Sequence, residues 1–256
     1  MHSDDKYTLK PTLAEKFSGI VWKIEADHSR TVVAVETRDL ANHKATYSAF
    51  DYKTGKCLFK EETVQEGWNW GLDRVYEGTV FLHSYATDQS PEHKGIIAIA
   101  PDGKIKWQQF NKALYDISNE GLITYNTLIQ PRMMELQSAE TGLTIKSSVK
   151  DYQPVYADIV LPEISADYAL LPGYKSLSLK GPLSYCSINN KDCYVFHIQE
   201  DAGFIQKLLI LENGNIILEE NLTGIIQKLN PEAFFIVQEH LFCIRADKHE
   251  IVSYLL

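Results

Sequence analysis

An apolar strand, an acidic or small residue, a glycine turn and a second strand with an aromatic or apolar residue four positions past the glycine recur along this chain. The pattern is clearest in Tyr47-Ser48-Ala49-Phe50-Asp51-Tyr52-Lys53-Thr54-Gly55-Lys56-Cys57-Leu58-Phe59 and in Ile97-Ala98-Ile99-Ala100-Pro101-Asp102-Gly103-Lys104-Ile105-Lys106-Trp107. Weaker copies surround Gly142, Gly181 and Gly214, and the last, over residues 242–254, lacks the glycine. With Gly55, Gly103, Gly142, Gly181, Gly214 and Glu250 as phase marks, the spacings are 48, 39, 39, 33 and 36 residues, with a mean of 39. A period of this length marks a repeat architecture, in which each unit buries its apolar face only against its neighbours.

The repeat unit is made of strands. Segments 31–35, 79–83, 95–99, 122–125, 207–211, 233–237 and 241–244 are short, rich in Val, Ile, Leu, Phe and Tyr, and closed by turn residues. Several are apolar at successive positions, which suits strands covered on both faces. Helical periodicity is nearly absent: the best helix candidate is a single turn after Pro11, with Thr12 capping Leu13-Ala14-Glu15-Lys16. An α/β fold, which needs a crossover helix between parallel strands, is disfavoured. The expectation is an all-β chain forming a β-propeller of about six four-stranded blades over residues 17–256, with 1–16 as an N-terminal tail. Residues 150–190 yield few clean strands, so the alternative is five blades plus an irregular insertion there.

The strand–Asp–x–x–x–Gly–Lys–x–x–aromatic unit, with its Asp-Gly-Lys-Ile-Lys-Trp form, resembles the repeat of quinoprotein-type (pyrroloquinoline-quinone dehydrogenase-like) β-propellers. The chain, including Gly67-Trp68-Asn69-Trp70-Gly71-Leu72 and His93-Lys94-Gly95-Ile96-Ile97, also resembles an uncharacterised bacterial family of unknown function. The resemblance implies a fold. Quinone-dependent members of that group are exported, have about eight blades, and hold the cofactor with calcium and adjacent cysteines. This chain is short and has no adjacent cysteine pair, so no quinone and no other cofactor is expected.

The formal net charge of −9 disfavours nucleic acid as a partner, since phosphate backbones are bound by clustered Lys and Arg. The polar, acidic start, Met1-His2-Ser3-Asp4-Asp5-Lys6, does not read as a signal peptide, and no run approaches a membrane span. A cytoplasmic protein with no membrane partner is expected. Phosphate-loop, dinucleotide, zinc-protease and nucleophile-elbow motifs are absent from the sequence, as is Cys-x-x-Cys. The eight histidines have no metal-ligand spacing along any one element, so no metal site is expected and each reads as structural. Asn189-Asn190 fits a two-residue turn that makes Cys186 and Cys193 cross-strand partners, read as reduced thiols. Glu61-Glu62 and Glu219-Glu220 read as solvated charges on strand edges.

One segment has the composition of a ligand site. Trp68 and Trp70 at strand spacing, followed by Arg74, adjoin His83 and Tyr85, which share one face of the next strand. These five are the candidate ligand-binding residues, with filling of the wedge between blades as the preferred use of the two indoles. The expected role is a binding or scaffold module for a protein or small-molecule ligand. An enzyme acting on a small molecule at the central channel mouth is the alternative.

Overall fold

The computed structural model describes residues 7–27, 29–87, 90–156, 158–171, 174 and 178–256. The N-terminal hexapeptide considered above, with His2, and also His28 lie outside these. The chain divides into two compact units, 21–158 and 1–20 with 159–256.

Strand β1 (Pro11–Lys16) belongs to the second of these units. In the unit 21–158, β2 (Ile20–Ala26), β3 (Val32–Asp39), β4 (Lys44–Asp51) and β5 (Lys56–Glu62) form one four-stranded sheet. A second contains β6 (Trp70–Tyr76), β7 (Thr79–Thr87), β8 (Ser90–Ile99) and β9 (Ile105–Gln109). A third contains β10 (Lys112–Ser118), β11 (Gly121–Asn126), β12 (Met134–Gln137) and β13 (Thr144–Lys146). Each is an antiparallel meander in chain order, the blade of a β-propeller.

The repeat has a packing reason. At the turn between the third and fourth strands, Gly55, Gly103 and Gly142 have φ of +71°, +82° and +69°. Asp51 Oδ1 accepts the N–H groups of Lys53 (3.0 Å) and Thr54 (2.9 Å), holding the first of these turns. The aromatic four positions past one glycine lies on the glycine of the next sheet. A Cβ on Gly103 would stand 3.0 Å from Phe59 Cβ, and one on Gly142 would stand 2.7 Å from Trp107 Cδ2. Trp107 Nε1 also donates to the Ala139 carbonyl at 3.0 Å, pinning the ring over that turn. Gly142→Ala therefore meets both a left-handed backbone and an aromatic face. It should lower the free energy of unfolding by about 1–3 kcal/mol, read as a reduced urea midpoint at unchanged m-value. An unchanged midpoint would show that Trp107 yields freely.

The doubly apolar strands are covered on both faces, as expected. The second sheet carries Leu72, Val80, Leu82, Ile97 and Ile99 into one cluster with Ala34, Tyr47 and Ala49, and Phe81, Ile96 and Ala98 into another with Leu114, Ile117 and Leu122.

In the other unit, β14 (Ile159–Val160) and β15 (Glu163–Ser165) are short. The longer strands are β16 (Leu179–Ile188), β17 (Lys191–Glu200), β18 (Gly203–Glu212), β19 (Asn215–Asn221), β20 (Phe234–Val237), β21 (His240–Arg245) and β22 (Glu250–Leu255). They make two five-stranded sheets, β15-β16-β17-β18-β19 and β1-β22-β21-β20-β14. The first and last strands of the chain thus share a sheet, with Ala14 opposite Val252 and Lys16 opposite Glu250.

Among the described residues there are five sheets, so the blade count is five and the figure of six is corrected. Four glycine marks and Glu250 each fall beside the turn that leads into the last strand of a meander, whereas Gly181 lies inside β16. A positive φ of 72° there made an irregular strand look like a turn. The alternative, five blades with an irregular stretch near 150–190, is the observed arrangement. The single helical turn after Pro11 is also corrected: this segment is β1, with Leu13 buried. A ladder to β22 supplies backbone hydrogen bonds that an isolated turn lacks.

Glu219 and Glu220 are not free edge charges either. Lys207 Nζ (2.9 Å) and the Tyr7 hydroxyl (3.1 Å) donate to Glu219, and Arg245 Nη1 (2.6 Å) and the Tyr254 hydroxyl (2.7 Å) donate to Glu220. The Asn189-Asn190 turn forms as expected, both residues at positive φ, and Cys186 stands opposite Cys193 as a free thiol pair. Burial pushes the Cys193 thiol up to about 12. Among the described residues no helix is long and apolar enough to cross a membrane.

Candidate functional site

Two bulges shape the second sheet at one end. Between β6 and β7, Leu72 pairs with Leu82 and Arg74 with Phe81, leaving Asp73 as the extra residue. Between β7 and β8, His83 pairs with Ile96 and Ser84 with Lys94, leaving Gly95 extra, at φ +77°. A bulge re-aims side chains that strict alternation would send elsewhere. The β6 bulge recurs in β10, where Tyr115 is the extra residue, so it belongs to the repeat. In β6 that position holds a carboxylate.

The backbone of the bulge is held in place. Lys23 Nζ (3.2 Å) and Arg74 Nη1 (3.0 Å) donate to the Asp73 carbonyl. Across the sheet His83 and Tyr85 share a face of β7, and His93 of β8 is the register partner of Tyr85. Gly71 stands opposite His83, and a Cβ there would lie 3.2 Å from His83 Nε2, so the imidazole occupies space that only glycine leaves.

Three strands thereby bring Asp73, His83 and His93 together. His83 Nδ1 is 3.5 Å and His93 Nδ1 3.7 Å from Asp73 Oδ2, and the three donor atoms lie within 4.8 Å of one another. The two imidazoles are stacked, with centroids 3.5 Å apart and planes 5° apart, and Tyr85 meets both edge-on at 5.1 and 5.7 Å. Asp73 and His83 are buried at 5% and 4% exposure, whereas the His93 side chain is 34% exposed. Asp73 Oδ2 and both His83 nitrogens are buried with no hydrogen-bond partner. Burial alone would raise the Asp73 carboxyl, but the two imidazoles and the Arg74 guanidinium outweigh it and hold it well below the usual carboxylate range.

Of the five residues singled out in the sequence, His83 and Tyr85 fall in this cluster. Arg74 sits at its rim, half exposed, with Nη1 3.7 Å from Asp73 Oδ1. Trp68 and Trp70 do not share a strand face: Trp68 lies in a 3-10 turn, Gly67–Asn69, and Trp70 begins β6. Trp70 is buried and pairs with Ser84, on the face opposite His83, with its ring under Gly95. Trp68 packs against His43 and under the Arg38 guanidinium, 4.9 Å away in each case. Arg38 in turn donates to the Trp68 and Trp70 carbonyls, both at 2.8 Å, and to buried Glu36 at 2.6 Å.

Asp73 and His93 were not among the sequence candidates. A search for ligand spacing along single elements passes over them, because each donor comes from a different strand. The cross-strand arithmetic that pairs Cys186 with Cys193 would not have found His93 either: from the Thr87–Ser90 pair it sets Tyr85 opposite Glu92, and a further register shift between Tyr85 and Thr87 brings His93 there instead.

No curated protein matches this chain. Among solved structures, the chain is similar at 9% identity to Raptor from Chaetomium thermophilum (TM-score 0.36) and to the β-propeller domain of the Trilobed protease from Pyrococcus furiosus (TM-score 0.32). These likenesses cover 97% and 92% of this chain but only 28% and 65% of the other two. Residues 26–107, which include Asp73, His83 and His93, match a family described as a domain of unknown function, DUF4905.

Proposed function

We propose that this chain is a cytoplasmic binding module whose small ligand is held at Asp73, His83 and His93, with Tyr85 and Arg74 at the rim. The observation that carries this reading is the convergence of polar atoms, two of the three side chains buried, without hydrogen bonds to satisfy them. A buried polar group left unpaired costs about 1–3 kcal/mol. Such a cost persists in a folded chain where the group is kept for a ligand. A scaffold needs no such cluster.

The test is thermodynamic and needs no knowledge of the ligand. Both variants are made in Asp73→Asn, the parent for comparison, so that no carboxylate is left without the imidazole that holds it ionised: His83→Phe keeps the ring contacts with His93 and Tyr85 and removes two unpaired nitrogens, while His83→Leu removes them with an aliphatic side chain. At least one of the two should match or exceed the parent in free energy of unfolding. If both lose more than about 2 kcal/mol, His83 is a structural residue and the reading fails.

A further inference from the structure

Resting on that reading, we propose that the ligand at Asp73, His83 and His93 is a single divalent first-row transition-metal ion, with zinc the best fit. The donors are Asp73 Oδ2, His83 Nδ1 and His93 Nδ1, one from each of β6, β7 and β8.

Their separations carry the argument. At 3.5 and 3.7 Å from Asp73 Oδ2, the two Nδ1 atoms are too far away for good hydrogen bonds, and the carboxylate oxygen is left without one. Ligands about 2.1 Å from zinc at tetrahedral angles stand about 3.4 Å apart. Two of the three edges of the cluster are thus close to those of a tetrahedral face, and the two imidazoles, stacked in parallel, would turn so that both Nδ1 lone pairs meet one ion.

The donor chemistry narrows the ion. Two imidazoles and one carboxylate suit zinc and its first-row neighbours. Calcium requires six to eight oxygens and magnesium a near-ideal octahedron of them, and one carboxylate supplies neither. Three protein ligands leave a fourth position for water. His93 and Tyr85 reach the surface, so water has access to the cluster.

The support around the donors also fits. The β6 bulge that aims Asp73 is fixed by Lys23 and Arg74 through its carbonyl, so the carboxylate does not rely on a flexible loop. Gly71 leaves room for the His83 ring. Arg74 stands beside Asp73 Oδ1, which leaves Oδ2 for the ion.

The experiment is a calorimetric titration of untagged protein with zinc chloride, repeated with magnesium and calcium chloride and with His93→Ala and Asp73→Asn. His93 is partly exposed and Asn has the shape of Asp, so both variants should fold; circular dichroism of each checks this. The expected result is one zinc per chain, a loss of at least about 100-fold in affinity in each variant, and no heat from magnesium or calcium. Cobalt(II) should give a tetrahedral visible spectrum that disappears in His93→Ala. Absence of zinc binding, equal binding by the parent and His93→Ala, or calcium binding as tight as zinc would overturn the proposal. If zinc fails to bind while a His83 variant keeps its stability, the ligand site stands and the ion is wrong. If zinc fails to bind and both His83 variants are destabilised, the cluster is structural and both readings fall.

Discussion

Arg38→Ala should cost about 3–5 kcal/mol of stability, an effect as large as the loss of a core aromatic. Glu36 is 1% exposed, and its carboxylate accepts from Arg38 Nε at 2.6 Å and from the Leu72 N–H at 2.6 Å. Removing the guanidinium leaves a buried charge with one neutral donor, and it also takes the Arg38 donor from the Trp68 carbonyl and one of two donors from the Trp70 carbonyl, which keeps the Tyr47 hydroxyl. The fork of donors is the reason for arginine, since a lysine could not reach both carbonyls and the carboxylate together. Chemical denaturation reads the loss. Adding Glu36→Gln to Arg38→Ala should recover part of it by removing the stranded charge, and a double variant as unstable as the single one would contradict this account.

Trp70→Ala is expected to lose about 3–5 kcal/mol, the range for removing a buried large aromatic. Trp70 belongs to the cluster shared by β3, β4 and the second sheet, and its ring fills the space beneath Gly95. Trp68→Ala should lose less, under about 2 kcal/mol, because that ring is only half-buried, against His43 and Arg38. The ordering separates the two indoles that the sequence presents as equivalent. Equal losses, measured by denaturation of both variants under one set of conditions, would mean that Trp68 is as much a core residue as Trp70.

The contrast between these indoles shows where sequence reading stops. Trp68 and Trp70 are two positions apart, so strand alternation puts them on one face, but the chain turns through Gly67–Asn69 and the premise of alternation is lost. His83 and Tyr85, two apart on a continuous strand, do share a face, and their edge-to-face contact follows from that spacing. Gly181 is the same lesson in the fold. A glycine at positive φ marks a turn only if strands pair across it, and the pairing partners of 179–188 lie in 191–198 and 163–165.

Features that depend on near neighbours along the chain could be read from the residues. Apolar runs closed by glycine turns dictate antiparallel strands, their period dictates stacked sheets, and Asn189-Asn190 dictates the register of Cys186 against Cys193. Long-range strand pairing chose five blades over six, joined β1 to β22 across the length of the chain, and brought Asp73, His83 and His93 together. Each of these needs a register between strands, and single-residue bulges at Asp73 and Gly95 set that register at the site. One inserted residue turns a strand's side chains to the other face, so a local pattern of hydrophobicity leaves the destination of a carboxylate open until the strands are paired.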